Sequence, residues 1–259
     1  MRPPHWHLAP QVPLPKLRSI SRLWALAAVL SAAGVAALAL DVPLAAWVAR
    51  GTCPSIIQKL CGLSETFAHA AGIALLATVI AVLDPPHRFM VPRVVTAALG
   101  SGILANVFKL ILARTRPHHV GLPADAMDTF AGWFPLAQNE SWQQGFPSSH
   151  AATAAGLAIA LSCLYPRGQW LFPAIAVLAC AQRVLVSAHF LSDVLWGSAV
   201  GCIFAPLCVY GSGLSRAFDR LERNWMARAG VAISAVVPGR RSATVKPAAS
   251  GADDVQAAA

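Results

Sequence analysis

Charge is what this sequence has least of. Only 12% of its 259 residues are Asp, Glu, Lys or Arg, where soluble domains carry about 25%. A soluble domain of this length needs a charged shell, and this chain cannot supply one. Its apolar residues, 56% of the total, are gathered in blocks instead. The class is therefore an integral membrane protein with a single domain. Acidic residues are scarcer than basic ones, 11 against 20, which leaves a formal charge of +9. In a soluble protein that excess would point to nucleic acid. Here the basic residues collect at the chain ends without interleaved aromatics, so nucleic acid is excluded as a partner and a bilayer flank explains them. The six cysteines fit no metal-ligand spacing. Cys163, Cys180, Cys202 and Cys208 lie in apolar blocks as small hydrophobes. Cys53 and Cys61 share one polar connection and are a candidate disulfide if that loop faces an oxidising compartment.

Six charge-free blocks are present: Leu23–Leu40, Phe67–Leu83, Val94–Phe108, Ala151–Tyr165, Gln169–Gln182 and Val194–Tyr210. With their flanks, each approaches the ~20 residues that cross a bilayer as a helix. The expected fold class is all-α, a six-transmembrane-helix bundle with both termini cytoplasmic. Placing the termini inside leaves 14 Lys/Arg on inner segments and six on outer ones, as the positive-inside rule requires. Trp24 and Trp170 then fall at the inner interface, and Trp47 and Trp196 at the outer. The domain division is residues 1–22 as a basic cytoplasmic segment, 23–213 as the membrane domain, and 214–259 as a basic cytoplasmic tail. The last 20 residues show no apolar period and are expected to be disordered. Leu23–Leu40 is read as a retained helix rather than a cleaved signal. The connection from His118 to Phe146 is long enough to be a lid over the outer mouth.

Three clusters of reactive side chains lie at the outer ends of the blocks. In the first, Lys109 and Arg116 are seven residues apart, so a continuing helix would point both at one target before Pro117 ends it. In the second, Ser148 and Ser149 precede His150 at the start of an apolar block. Ser148 is a natural N-cap, and the free N–H groups behind it form an anion site. In the third, Arg183 precedes His189 and Asp193; if the run is helical, Asp193 is the i+4 neighbour that fixes the imidazole tautomer. Three cations, a helix N-terminus, two histidines and one carboxylate describe a site for a tetrahedral oxyanion undergoing phosphoryl transfer.

The pattern K-x6-R-P, P-S-x-H and R-x5-H-x3-D, read from Lys109 to Asp193, resembles the three motifs of the type 2 phosphatidic acid phosphatase and vanadium haloperoxidase superfamily. The six-block plan resembles its membrane lipid phosphatase branch. The resemblance implies that Lys109, Arg116 and Arg183 hold the phosphate oxygens, with Ser148 and Ser149 completing the cradle. His189, positioned by Asp193, would attack phosphorus to give a phosphohistidine, and His150 would protonate the leaving alcohol. It implies no metal and no cofactor. The substrate would be a phosphomonoester or diphosphate on a membrane lipid, in a bacterial inner membrane with the site on the periplasmic face. Two rival outcomes are a lipid phosphotransferase using the same phosphohistidine and a non-catalytic lipid-phosphate-binding protein. The sequence departs from the family pattern at Ser149, where glycine is usual, and at Gln182, where serine is usual.

Overall fold

The computed structural model describes residues 18–51, 53–119, 125–136 and 140–229. The described chain is helical except for one small hairpin. Helix α1 spans Arg18–Ala49, α2 Ser55–Glu65, α3 Ala70–Leu83, α4 Val91–Lys109, α5 Ser149–Leu164, α6 Leu171–Leu185, α7 Leu191–Val209 and α8 Gly213–Arg228. Each expected block thus lies within or across one helix, with the ends shifted by a few residues. The exception is α1, which runs nine residues past Leu40. The charge that should have closed the span there, Asp41, is buried and paired, so the helix continues through Pro43 to Ala49. Helix α2 and the turn Thr66–Ala68 lead into α3 at a bend of 69°.

Three helical stretches, Ile20–Ala49, Arg88–Lys109 and Leu191–Val209, are long and apolar enough to cross a membrane, and the bent α2–α3 pair adds a fourth. Helices α5 and α6 are apolar but shorter. The outer faces are greasy: Leu75, Val82, Ile103 and Val177 are each more than 60% exposed. In water such a surface would be untenable, and in lipid it is solvated. The chain is an integral membrane protein.

The inside is built on small residues. Ala97, Ala98, Ala105, Ala152, Ala154 and Ala205 are buried, and α7 packs against α1, α4 and α5. Lipid gives helices little hydrophobic reason to associate, so close backbone approach supplies the attraction. The Gly197-x3-Gly201 pair on α7 does this against α5: a Cβ at Gly197 would lie 2.2 Å from the Ser148 carbonyl oxygen.

Trp196 takes part in the helix packing, its ring against Gly34 of α1 and 5.9 Å from Phe146. The segment after 213 opens as a helix. Helix α8 folds back because Arg93 of α4, 2% exposed, donates from Nε to Glu222 at 2.7 Å and from Nη2 to Asp219 at 2.5 Å. The expected disorder of the last 20 residues lies outside the described residues. Cys53 and Cys61 both carry free thiols, with Cys61 buried on α2.

Candidate active site

The clusters around Lys109, Ser148 and His189 meet at one end of the bundle, where α4 and α6 finish and α5 and α7 start. Lys109 is the last residue of α4 and 5% exposed. The chain does not continue as a helix to Arg116, and the shared helical face expected for the pair is not what brings them together. After a turn at Leu110, Leu112–Arg114 forms β1, antiparallel to β2 at Phe130–Trp133 with a bulge between Ala113 and Arg114. Two backbone N–H groups, of Phe134 and Leu136, donate to the carbonyls of Ile111 and Leu110, which helix ends otherwise leave open. The expected loop from His118 to Phe146 therefore contains a strand and several short turns; residues 120–124 and 137–139 lie outside the described residues. Beyond β1, the Gly145 N–H donates to the Arg114 carbonyl at 2.8 Å and the Arg116 N–H to the Trp142 carbonyl at 2.9 Å. Arg116 Nε is buried and has no hydrogen-bond partner among the described residues.

Ser148 caps α5, its Oγ accepting from the Ala151 N–H at 3.4 Å, and its own N–H donates to the Asp193 carbonyl at 2.9 Å. Ser149 Oγ accepts from Lys109 Nζ at 3.3 Å, so its hydroxymethyl meets the first cation directly. His150 is the second residue of α5, its ring 6.3 Å from that of His69.

His189 is placed by a reversal after α6. Ser187 adopts φ +56°, and the N–H groups of Ala188 and His189 both donate to the Arg183 carbonyl. Its expected position on a helix with Asp193 is corrected: α7 begins at Leu191, and His189 precedes it. The imidazole, 3% exposed, contacts the Gly145 carbonyl through Nδ1 at 2.7 Å, while Asp193 Oδ2 stands 3.8 Å away. A carbonyl only accepts, so Nδ1 carries the proton and Nε2 presents a lone pair. Burial pushes this imidazole below its ordinary pKa; the charge of Asp193 opposes that shift, and Lys109 and Arg116 reinforce it.

Asp193 spends its oxygens elsewhere. Oδ1 accepts from Arg114 Nη1 at 2.5 Å and Oδ2 from the Phe190 N–H at 2.8 Å. Arg114 also donates to Asp41 at 2.7 Å, to Thr129 at 2.8 Å and to Ser192 at 2.7 Å, with Phe130 and Phe190 each 4.5 Å from its guanidinium. Ser192 in turn donates to Asp41, by its N–H at 3.0 Å and its hydroxyl at 2.5 Å. Arg114, Asp41, Ser192 and Asp193 are all fully buried. Asp41 and Arg114 were missed as functional residues. The available signal was an acid directly after a charge-free block and an arginine inside the first motif, since a charge at membrane depth is retained only with a partner.

Arg183, near the end of α6, was expected among the anion-binding groups. Its Nη2 is ion-paired with Glu65 of α2, and its Nε donates to Gln182 Oε1 at 2.5 Å. Gln182 Nε2 donates to Glu65 at 3.0 Å, which closes a three-residue ring. Arg116 feels this neighbour: burial first, then the charge of Arg183, lower its affinity for its proton. Cations held together in a poorly solvated place form a site for an anion. Among the described residues, no three His, Cys, Asp or Glu side chains come together as metal ligands.

The fold and these groups define a helical membrane protein with a cationic, histidine-bearing site at one end of the bundle. Residues 91–216, which carry all three motifs, match the family model of the PAP2 superfamily. The chain is similar to the lipid A 1-phosphatase of Rhizobium johnstonii, 36% identical over 107 residues that make up 41% of each chain. To the decaprenylphosphoryl-5-phosphoribose phosphatase of Mycobacterium tuberculosis it is 29% identical over 170 residues, 64% of this chain and 87% of that one. The chain spans less than half the length of the lipid A 1-phosphatases it matches. A crystal structure of a PAP2-type phosphatidylglycerolphosphate phosphatase from Bacillus subtilis superposes with a TM-score of 0.49 at 19% identity, covering 79% of this chain and 97% of that one.

Proposed function

We propose that the protein is a lipid phosphatase, hydrolysing a phosphomonoester or diphosphate on a membrane lipid through a phosphohistidine. The observation that carries this reading is the pairing of a buried imidazole, its Nε2 free to attack, with an arginine whose buried Nε has no partner among the described residues. Lys109, Arg116 and Arg183 hold the equatorial oxygens with Ser148, Ser149 and the N–H groups that open α5. His189 Nε2 bonds to phosphorus as the P–O bond breaks, and His150 delivers a proton to the leaving oxygen. Water then attacks phosphorus, giving its proton to His150, and the N–P bond breaks to release phosphate. The three cations supply the charge stabilisation that a divalent metal gives elsewhere.

Six crossings fit the arrangement, with α1, α3, α4, α5, α6 and α7 alternating in direction. His69, Ser149 and Leu191, which lie at helix starts, fall at the site end, and Asp84 and Tyr165, at helix ends, meet at the other, 2.8 Å apart. With both termini cytoplasmic, residues 1–22 and 214–259 flank the membrane domain inside, and the site opens to the periplasmic face of a bacterial inner membrane. A cavity of about 660 Å³ between α1, α5, α6 and α7, lined by Leu26, Leu30, Val177 and Leu195, gives a lipid chain a place within the membrane. Val184 and Leu191 line both this cavity and a small pocket at His189, so a chain there leads to the reacting atoms.

The test is phosphate release by purified protein from a panel of lipid phosphates, including phosphatidic acid, a lipid diphosphate and a lipid-borne sugar phosphate. Release that persists in EDTA and stops with vanadate supports the reading. Phosphate appearing on a second lipid indicates transfer, and binding without release overturns the reading.

A further inference from the structure

Two polar side chains at the site have no part in the cradle. Glu65 ends α2, and His69, one helical turn later, caps α3. The bend between these helices brings both toward the first turn of α5, with the His69 ring 6.3 Å from His150. Both lie near enough to His150 for a charge on either to bear on its ring. His69 Nδ1 accepts from the Ala71 N–H at 3.4 Å, so its neutral ring carries the proton on Nε2, on an exposed side chain. The Glu65 carboxylate binds Arg183 and Gln182 but has further lone pairs, and it is 38% exposed.

The leaving side of the site, where His150 donates its proton, is therefore flanked by one strong acceptor and one donor. Diacylglycerol leaving from phosphatidic acid brings ester oxygens, which only accept, and a carboxylate facing them is unsatisfied and repelled. A sugar brings hydroxyls, which donate to a carboxylate and accept from an imidazole. A site built to bind hydroxyls discriminates strongly against a substrate that lacks them, because its own polar groups are left unpaired. We infer that Glu65 and His69 form a leaving-group subsite selecting a lipid whose phosphate is borne by a sugar. The inference rests on the phosphatase reading above. Gln182, where the family has serine, fits this arrangement by tethering Glu65 at 3.0 Å.

The experiment compares kcat/KM for a lipid-borne hexosamine phosphate and for dioleoyl phosphatidic acid in matched micelles, with the full chain and with Glu65→Gln and His69→Ala. Glu65→Gln keeps an oxygen for Arg183 but removes the charge that accepts from a hydroxyl. The readout is the ratio of the two values, since loosening Arg183 would slow both lipids alike. The wild type should prefer the sugar lipid by more than about tenfold, and each substitution should cut that ratio by about tenfold. Hydrolysis of both lipids with a ratio unchanged by either substitution overturns the subsite and leaves the phosphatase intact. Release from neither lipid, with vanadate failing to bind, overturns the phosphatase reading itself.

Discussion

The Nδ1 atom of His189 lies 2.7 Å from the carbonyl oxygen of Gly145, and this contact, rather than one with Asp193, sets the tautomer of the proposed nucleophile. Asp193 acts on the ring from 3.8 Å, through its charge. That separation of tasks has a consequence in pH.

His189 must be neutral to attack, so activity is lost as pH falls through its pKa. Burial holds that pKa below the usual histidine range, and the Asp193 carboxylate raises it against that trend. Removing the carboxylate's charge lowers it further. In Asp193→Asn, the acid limb of the kcat/KM profile should move to lower pH while kcat at neutral pH falls about 10- to 100-fold. An acid limb that moves upward would show that His189 is not the group being titrated.

The two histidines should separate by leaving group. His189→Ala should abolish phosphoenzyme formation with every substrate. His150→Ala should slow alkyl phosphates by about 10²- to 10⁴-fold and p-nitrophenyl phosphate much less, because p-nitrophenolate leaves without a proton. Rapid quench should trap an acid-labile, base-stable adduct on the His150 variant. An adduct on the His189 variant would reverse the assignment.

Asp41 ties α1 to the site through Arg114, with both side chains fully buried. Asp41→Ala leaves a buried guanidinium short of one counter-charge, which costs about 3–5 kcal/mol where a buried pair is broken. The detergent-solubilised protein should melt markedly lower. Asp41→Asn, which keeps an acceptor, should recover part of the loss. A melting temperature unchanged in the alanine variant would mean that Asp193, Thr129 and Ser192 hold Arg114 without Asp41.

Gly197 allows α7 to lie on the turn that carries Ser148. A methyl there would sit 2.2 Å from a backbone oxygen that has no free rotation to escape it. Gly197→Ala should cost about 1–3 kcal/mol of stability from overpacking. It should also raise KM and weaken vanadate inhibition, because the displaced turn opens α5 and its anion site. Unaltered vanadate inhibition in a folded variant would detach this contact from the site.

The helical plan was legible in the sequence because a helix in lipid satisfies its own backbone hydrogen bonds, so an apolar block announces itself locally. The motifs around Lys109, Ser148 and His189 were legible for a related reason: each falls at a block's end, where polar side chains can leave the lipid. What followed Lys109 was not legible. Nothing in Leu110–Arg116 forbids another helical turn, and pairing with Phe130–Trp133 made it a strand. The partners of the buried charges were hidden as well. Arg114 finds Asp41 and Asp193 across 73 and 79 residues, and Arg183 finds Glu65 across 118. In the sequence neither of these arginines names the carboxylate it pairs with. The sequence by itself determined which segments form apolar helices and which residue types gather at their ends. The tertiary structure decided which charge neutralises which, because a buried charge is stabilised by whatever group the packing brings within hydrogen-bond reach, at any distance along the chain.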